Sequence, residues 1–411
     1  MTRALVVGGG IAGPVAAIAL QKAGLDPVVY EAFPRTADTA GNFMNIAPNG
    51  LDALACVGLA EPVRRLGFTT PAIAFYRADG RRLTEDVPVE AQAGPGAVIQ
   101  TLRRADLYRT LREEVSRRGI PVEYGKRLVD ARAAGGRVSA RFADGTHAEG
   151  ELLVGADGIR SRVRKVIDPQ APDPRYLGTV NAFGVAPGQP LQGRPGVLRM
   201  YFGRRSFFMS AQHPDGDVWW FANPPRPAEP DAAELRRPDE RWQEEFVELF
   251  RQDGMPAVDI VRASTRFSVP SANYDLPRVP HWQRDGMVLV GDAAHAVSPT
   301  AGQGGSVAME DAVILAKCVR DASGIDAALA AYEQVRRGRV ERIVAQGKRN
   351  VDGNLSGPLG RVVRDFFIRR AFRDIAVKGP EKTPVWMLGH HIDWDTPEAA
   401  APGSRQVGTG R

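Results

Sequence analysis

Cysteine is nearly missing from this chain: Cys56 and Cys318 are the only two in 411 residues. Two thiols cannot build a disulfide framework. Each sits in an apolar, helix-like stretch, the setting of a buried thiol in a reducing cytoplasm. Histidine is scarce as well, at six, and no Cys/His spacing matches a metal site, so no metal is expected. There is no G-x-S-x-G elbow to carry a serine nucleophile. No apolar run approaches the roughly 20 residues of a membrane span. Arg3 followed by the apolar stretch Ala4 to Leu20 imitates a signal peptide, but glycines at 8, 9, 10 and 13 break it. A cytoplasmic protein is therefore expected. The net charge is +6, yet the arginines are spread out and form no aromatic-interleaved basic groove. That distribution favours small phosphate-bearing molecules over nucleic acid.

What the chain does have is length and an ordered series of glycine turns. With 43% hydrophobic and 25% charged residues it has the balance of a globular protein with two or three interleaved domains. Ala4–Val7 reads as a buried parallel strand, Gly13 to Ala23 as a helix and Pro27–Tyr30 as a second strand. Helices are expected at Pro48 to Leu54, at Arg104 to Arg117 with Leu107 and Leu111 on one face, and from Ser306 to Arg320. From about Tyr176 the texture changes to short alternating runs, with strands at 197–202, 206–212 and 217–222, then one helix over 228–251. Met287–Val290 returns to a continuous apolar strand. The division expected is 1–72, 98–175 and 277–350 for one α/β domain, with 73–97 and 176–276 for an inserted antiparallel β domain. A C-terminal helical segment follows at 351–396, then a disordered tail at 397–411.

Gly8-Gly9-Gly10-Ile11-Ala12-Gly13 fits G-x-G-x-x-G between a strand and a helix. The first glycine allows the tight turn, the second lets a pyrophosphate approach, and the third lets the helix pack on the strand. Helix-terminal amides then face the phosphates. Glu31 ends the next strand, where a carboxylate can accept both hydroxyls of an adenosine ribose. Two further strand ends carry aspartate: Gly155-Ala156-Asp157-Gly158, continuing to Arg164, and Gly291-Asp292-Ala293-Ala294-His295, continuing through Pro299 to Gly302-Gln303-Gly304-Gly305-Ser306 and Glu310-Asp311. Either alone reads as a turn. Three in order, each at a strand end, do not.

Together these segments resemble the single-component (class A) FAD-dependent aromatic monooxygenases of the para-hydroxybenzoate hydroxylase type, from Ala4 to about Thr396. Arg104-Ala105-Asp106-Leu107 adds a weaker match. The resemblance implies an α/β fold with a Rossmann-like FAD-binding domain of the GR2 type, an inserted, mostly antiparallel substrate sheet and a C-terminal helical segment. It implies noncovalent FAD, with Gly8, Gly10, Ile11, Ala12 and Gly13 at the pyrophosphate and Glu31 at the ribose. Arg104 and Asp292 would bind the flavin side, and Asp157 would serve both FAD and a visiting NAD(P)H. Pro299 and Gly302, Gln303, Gly304, Gly305 and Ser306 would lie beside the flavin ring. The loop 40–44 would cover it. Asn42 and Phe43 stand there in place of the arginine some relatives carry, which argues against an acidic benzoate.

The implied activity is NAD(P)H- and O2-dependent hydroxylation of an aromatic, polycyclic or polyketide-like molecule, in secondary metabolism, through a flavin C4a-hydroperoxide. No general base can be assigned. The expected substrate wall is Asn42, Met44, Phe183, Met200, Met209, Trp219, Phe221 and Pro299. Alternation puts Met200, Met209 and Trp219 toward the flavin and Arg199, Ser210 and Gln212 away; the competing arrangement packs that apolar face on the 228–251 helix. The basic helix holding Arg361, Arg364, Arg369, Arg370 and Arg373 is expected to be solvated rather than membrane-bound. Either a monomer or a homodimer is compatible. Alternatives on the same fold are an antibiotic-inactivating hydroxylase, a halogenase (although W-x-W-x-I-P is lacking) or a reductase. A flavin-binding protein without turnover is the alternative of another class.

Overall fold

The computed structural model describes residues 2–34, 42–191, 193–298, 301–352, six positions between 360 and 370, and 385–397. Its first sheet has six strands in the order 283–284, 287–289, 152–155, 3–7, 26–31, 122–124. All neighbours run parallel except the 283–284 edge. The central strands are continuous apolar runs because both faces are covered. Helix Ala12–Lys22 lies on the sheet, with helix Gly304–Asp321 packed along it. Phe142, from the three-stranded 128–150 sheet, stacks on Tyr30 at 4.7 Å.

A second sheet has seven strands in the order 266–275, 175–186, 218–223, 207–212, 198–202, 72–77, 87–88. Every pair is antiparallel except 198–202 with 72–77. Period-two alternation gives it two different cores. Tyr201, Phe208 and Trp220 pack with Trp242, Phe246 and Phe250 of helix Asp239–Phe250. Met209, Trp219 and Phe221 pack on the other side with Phe43 and Phe68. Those two belong to a small sheet of strands 43–46, 99–103 and 68–70. Its middle strand runs directly into helix Arg104–Arg117, which buries Leu107, Leu111 and Val115. The face carrying Arg199 and Ser210 is therefore not a wet one. Arg199 is only 2% exposed and donates to Val197 O at 3.1 Å.

Several elements differ from expectation. The single helix over 228–251 is two, Ala232–Leu235 and Asp239–Phe250. Pro238 separates them, since it disfavours helical backbone at the residue before it. Asp231 caps the first by accepting from Ala233 N and Glu234 N. Helix Gly304–Asp321 begins two residues earlier than expected. Strand Arg266–Asp275 and helix Ile325–Asp352 were not legible as elements. Cys318 is buried, whereas Cys56 is only half-buried; its Sγ donates to Ile392 O at 3.3 Å, and burial pushes the thiol up to about 11. Of 351–396, the described part of the C-terminus includes one short helix, Val385–Leu388. Arg369 and Arg370 are exposed. Arg361, Arg364, Arg373, residues 40 and 41 of the 40–44 loop and the tail beyond 397 lie outside the described residues. Among the described residues no helix is long and apolar enough to cross a membrane.

Candidate functional site

The three glycine turns, two of them carrying an aspartate, leave adjacent parallel strands at the same level. Val7 pairs with Gly155, and Gly155 pairs with Leu289. The loops are tied to their neighbouring strands: Ala156 N donates to Val7 O at 2.8 Å and Val290 N to Gly155 O at 3.0 Å. Arg164, 1% exposed, donates to Ile159 O at 2.7 Å and to Ala293 O at 3.0 Å. It links the second motif to the third, a role its place in the motif does not reveal. Ligands of open α/β sheets bind outside such carboxyl ends.

Gly8 has φ +112, and a Cβ there would sit 2.3 Å from Ala156 O. A Cβ on Gly13 would sit 1.8 Å from Gly8 O, so the helix packs directly on the turn. Around Gly10, Gly302 and Gly304 the space is open, with no atom within 4 Å of where a Cβ would stand. Helices 12–22 and 304–321 begin without a side-chain cap and without an acid in the first turn. Their leading amides therefore lack the usual acceptors, and the dipole favours anionic or electron-rich groups there. These features fit a dinucleotide with a flavin.

Glu31 accepts from Gly9 N at 2.6 Å and Phe33 N at 2.8 Å, which bends its carboxylate onto the glycine turn. Asp157 accepts from Ser161 Oγ at 2.5 Å, Arg162 N at 2.7 Å and Val163 N at 3.1 Å. Burial raises its carboxyl while those bonds oppose the rise. Those bonds engage it in capping helix Arg162–Ile167. Asp292 behaves differently. Its carboxylate accepts no hydrogen bond among the described residues, and the residue is exposed. Protein nevertheless surrounds the group at longer range. Desolvation therefore raises the carboxyl, with His295 and Arg104 pulling it down and Asp311 adding to the rise. Arg104 is exposed at the start of its helix. Its N donates to Asn42 O at 2.9 Å and its Nε to Tyr108 Oη at 2.6 Å. Pro299 lies outside the described residues.

Beneath the third motif is a buried polar network that the sequence reading did not assemble. Asp311 accepts from Gly291 N at 2.9 Å and from Arg336 Nε at 2.8 Å, and His295 Nε2 lies 2.6 Å from it. Burial alone would raise this carboxyl, but His295, Arg336 and the Gly291 amide hold it at about 2. Glu310 takes Arg336 Nη1 at 2.7 Å, Arg339 Nη2 at 2.7 Å and Asn49 Nδ2 at 2.6 Å. Asn49 also donates to Gln303 Oε1 at 3.0 Å, and Ala47 N to Ser306 Oγ at 3.0 Å. The Gln303 and Ser306 side chains thus turn into the protein, leaving their backbone to face the cleft. The available signal was two adjacent acids, Glu310 and Asp311, between the apolar runs 307–309 and 312–316 of one helix, with Arg336 and Arg339 three apart on the next.

A second candidate surface is the aromatic face of the seven-stranded sheet, covered by Phe43 and Phe68 of the small sheet. Phe43 meets Phe183 edge-on at 5.5 Å and Trp219 at 5.6 Å; Phe68 meets Trp219 at 5.4 Å. His213 stacks on Trp219 at 5.3 Å. Trp219, Met209 and Phe221 are buried at this closed end. Met200, Phe207 and Phe183 are half-buried, so the face opens toward them. Met44 points the other way from Phe43, and a Cβ on Gly305 would sit 2.7 Å from its Cε. Alternation along strand 43–46 was the signal that separates Phe43, on the aromatic face, from Met44.

The parallel sheet and the glycine turns at its carboxyl ends fit a flavoprotein. The family described as FAD binding domain matches residues 1–347. Over 350 residues, 83% of this chain and 86% of the relative, the chain is 31% identical to an aurachin C monooxygenase/isomerase of Stigmatella aurantiaca. It is 30% identical over 365 residues to an FAD-dependent urate hydroxylase of Klebsiella pneumoniae, covering 85% of this chain and 90% of the relative. It is 32% identical over 364 residues to a 3-amino-4-hydroxybenzoate 2-monooxygenase of Streptomyces platensis, covering 83% and 85%. The crystal structure of Klebsiella pneumoniae HpxO with FAD and uric acid superposes with a TM-score of 0.81 at 26% identity, over 91% of this chain and 95% of that one. The chain belongs to the class A FAD-dependent aromatic monooxygenases. It is an FAD-dependent oxidoreductase acting on a small molecule.

Proposed function

We propose that this monooxygenase uses NAD(P)H and O2 to hydroxylate an electron-rich aromatic or polyketide-like molecule of secondary metabolism. The observation that carries this reading is the apolar aromatic face of the inserted sheet, joined to the third glycine motif through strand 43–46, whose Phe43 meets Trp219 while Met44 reaches Gly305. Relatives named for urate and for 3-amino-4-hydroxybenzoate act on fused or single rings, which suits a wall of aromatic side chains.

In this reading the amides of Ile11 and Ala12, with Gly8, Gly10 and Gly13, hold the pyrophosphate. Glu31 keeps lone pairs for the ribose. Asp157 maintains the shape of the second loop through the helix it caps. Asp292 and Arg104 bind the flavin side, and the 302–306 backbone at the helix start stabilises negative charge on the ring edge. Pro299 stays assigned to the ring by resemblance. Bound FAD supplies acceptance of electrons from nicotinamide and activation of oxygen. The chain's own task is to orient the substrate against Met200, Phe207 and Phe183 and to keep water out, with Trp219, Phe43 and Phe68 sealing the closed end. No metal or protein nucleophile is required.

A stimulated-oxidation screen tests this. The purified, FAD-loaded protein is mixed with reduced nicotinamide and a panel of aromatic, indole and polycyclic compounds in air. At least one class should accelerate nicotinamide oxidation and yield a hydroxylated product. Slow oxidation unaffected by every class would point to a flavin-binding protein without turnover.

A further inference from the structure

We propose that Asn181, Asn223 and Asn273 form a polar specificity wall that selects aromatic substrates bearing a hydroxyl or ring N–H. The inference rests on the aromatic face being the substrate site. Three adjacent strands each place one amide just beyond the rings. Asn223 follows Phe221 by two residues and pairs with Phe207; Asn181 precedes Phe183 by two. Both therefore lie on the ring-bearing face. Asn181 and Asn273 are 9% and 4% exposed, whereas Asn223 is half-buried at the open stretch beside Phe207 and Phe183.

Burying three amides among aromatic side chains is unfavourable unless their hydrogen bonds are met, and here they are met in a way that fixes direction. Asn181 and Asn273 exchange amide hydrogen bonds with each other, and Asn273 Nδ2 also reaches Thr179 Oγ1 at 3.0 Å. Asn223 Nδ2 donates to Val180 O at 3.1 Å and to Asn181 Oδ1 at 2.9 Å. A backbone carbonyl can only accept, so the Asn223 nitrogen must face Val180. Its Oδ1 is left without a protein partner among the described residues. The wall thus presents one oriented acceptor next to the rings. A ligand held against Phe207 and Phe183 gains from offering it a donor, and a methylated analogue cannot.

The test uses the FAD-loaded protein and two probe pairs, 2-naphthol with 2-methoxynaphthalene and indole with 1-methylindole. Dissociation constants are read from perturbation of the bound flavin's absorbance. The wild type should bind each donor about five- to tenfold more tightly than its methylated form. Asn223→Leu should bring that ratio close to one; Asn223→Ala serves the same purpose if the leucine variant does not hold FAD. Because each ratio is taken within one folded preparation, loss of stability alone leaves it unchanged. Phe207→Ala should weaken both members of a pair alike. A ratio retained in both Asn223 variants, with Phe207→Ala weakening both members, overturns the amide wall and leaves the substrate face standing. No effect from Phe207→Ala or from the Asn223 variants overturns both, as does a wild type whose flavin responds to neither donor.

Discussion

Asp292 and Asp311 lie nineteen positions apart in the same motif region and carry opposite environments. Asp292 is exposed with no protein donor among the described residues, while Asp311 is fully buried and hydrogen-bonded on both oxygens. The first is poised for a ligand and the second for the loop that presents it. Asp292→Ala and Arg104→Ala should each weaken FAD binding. A lost charged hydrogen bond costs about 1.5–3 kcal/mol, roughly ten- to a hundredfold in affinity. Flavin content after dialysis reports it, and unchanged content in both variants contradicts the assignment. Asp311→Asn should act on the fold instead, because it leaves Arg336 buried with less compensation. Breaking such a pair costs roughly 3–5 kcal/mol, visible as a lower melting temperature. The pH sign follows from a depressed carboxyl. Its contribution is present above the ordinary value of about 3.9 and disappears as pH falls toward about 2. Wild-type stability should therefore drop on acidification through that window, and Asp311→Asn should lose less there. Motif residues were legible because their meaning is local: a glycine where φ is +112, an aspartate after a strand. Asp311 with Arg336 was not, because the pairing joins two helices.

Elements were legible where one periodicity ran uninterrupted. Helix Arg104–Arg117 and strands 207–212 and 218–223 fall where their patterns place them. Strand Arg266–Asp275 was hidden by Pro270, which is harmless because this is the edge of its sheet. The C-terminal strap was invisible because its contacts are to distant residues. Arg339 donates to Met387 O at 2.9 Å, and Asp52 receives Ile392 N at 2.7 Å and faces His391 Nδ1 at 2.6 Å. The Asp52 hydrogen bond raises the His391 pKa above its usual value. The stabilisation is thus complete below about 6.5 and is lost as pH rises through the elevated value. The 385–397 segment should become more sensitive to limited proteolysis between pH 6 and pH 8.5, relative to Asp52→Asn at the same pH. A constant ratio between the two proteins would show that the pair does not hold the strap.

At the scale of the molecule, the proposed function depends on two surfaces. The parallel sheet delivers three glycine turns to one edge because parallel strands end at one level. The antiparallel sheet turns one face to its own helix and the other to Phe43 and Phe68. Alternation showed which side chains share a face. It could not show that Trp219 closes one end while Met200 and Phe207 border the opening, since that depends on strands 43–46 and 68–70. FAD held by such turns should be noncovalent, and acid precipitation should leave the yellow colour in the supernatant. Colour retained in the pellet would refute this. The central claim is that the aromatic face is the dry wall of a monooxygenase site. Its most direct test is coupling: the share of reduced nicotinamide oxidised that is recovered as hydrogen peroxide, with the most stimulating aromatic compound, in wild type, Trp219→Ala and Gln212→Ala. Trp219→Ala should keep its FAD, bind the compound more weakly and divert a larger share to peroxide, because water gains the closed end. Gln212→Ala, on the opposite face, should match wild type. A folded, FAD-replete Trp219→Ala enzyme with coupling unchanged would contradict the account.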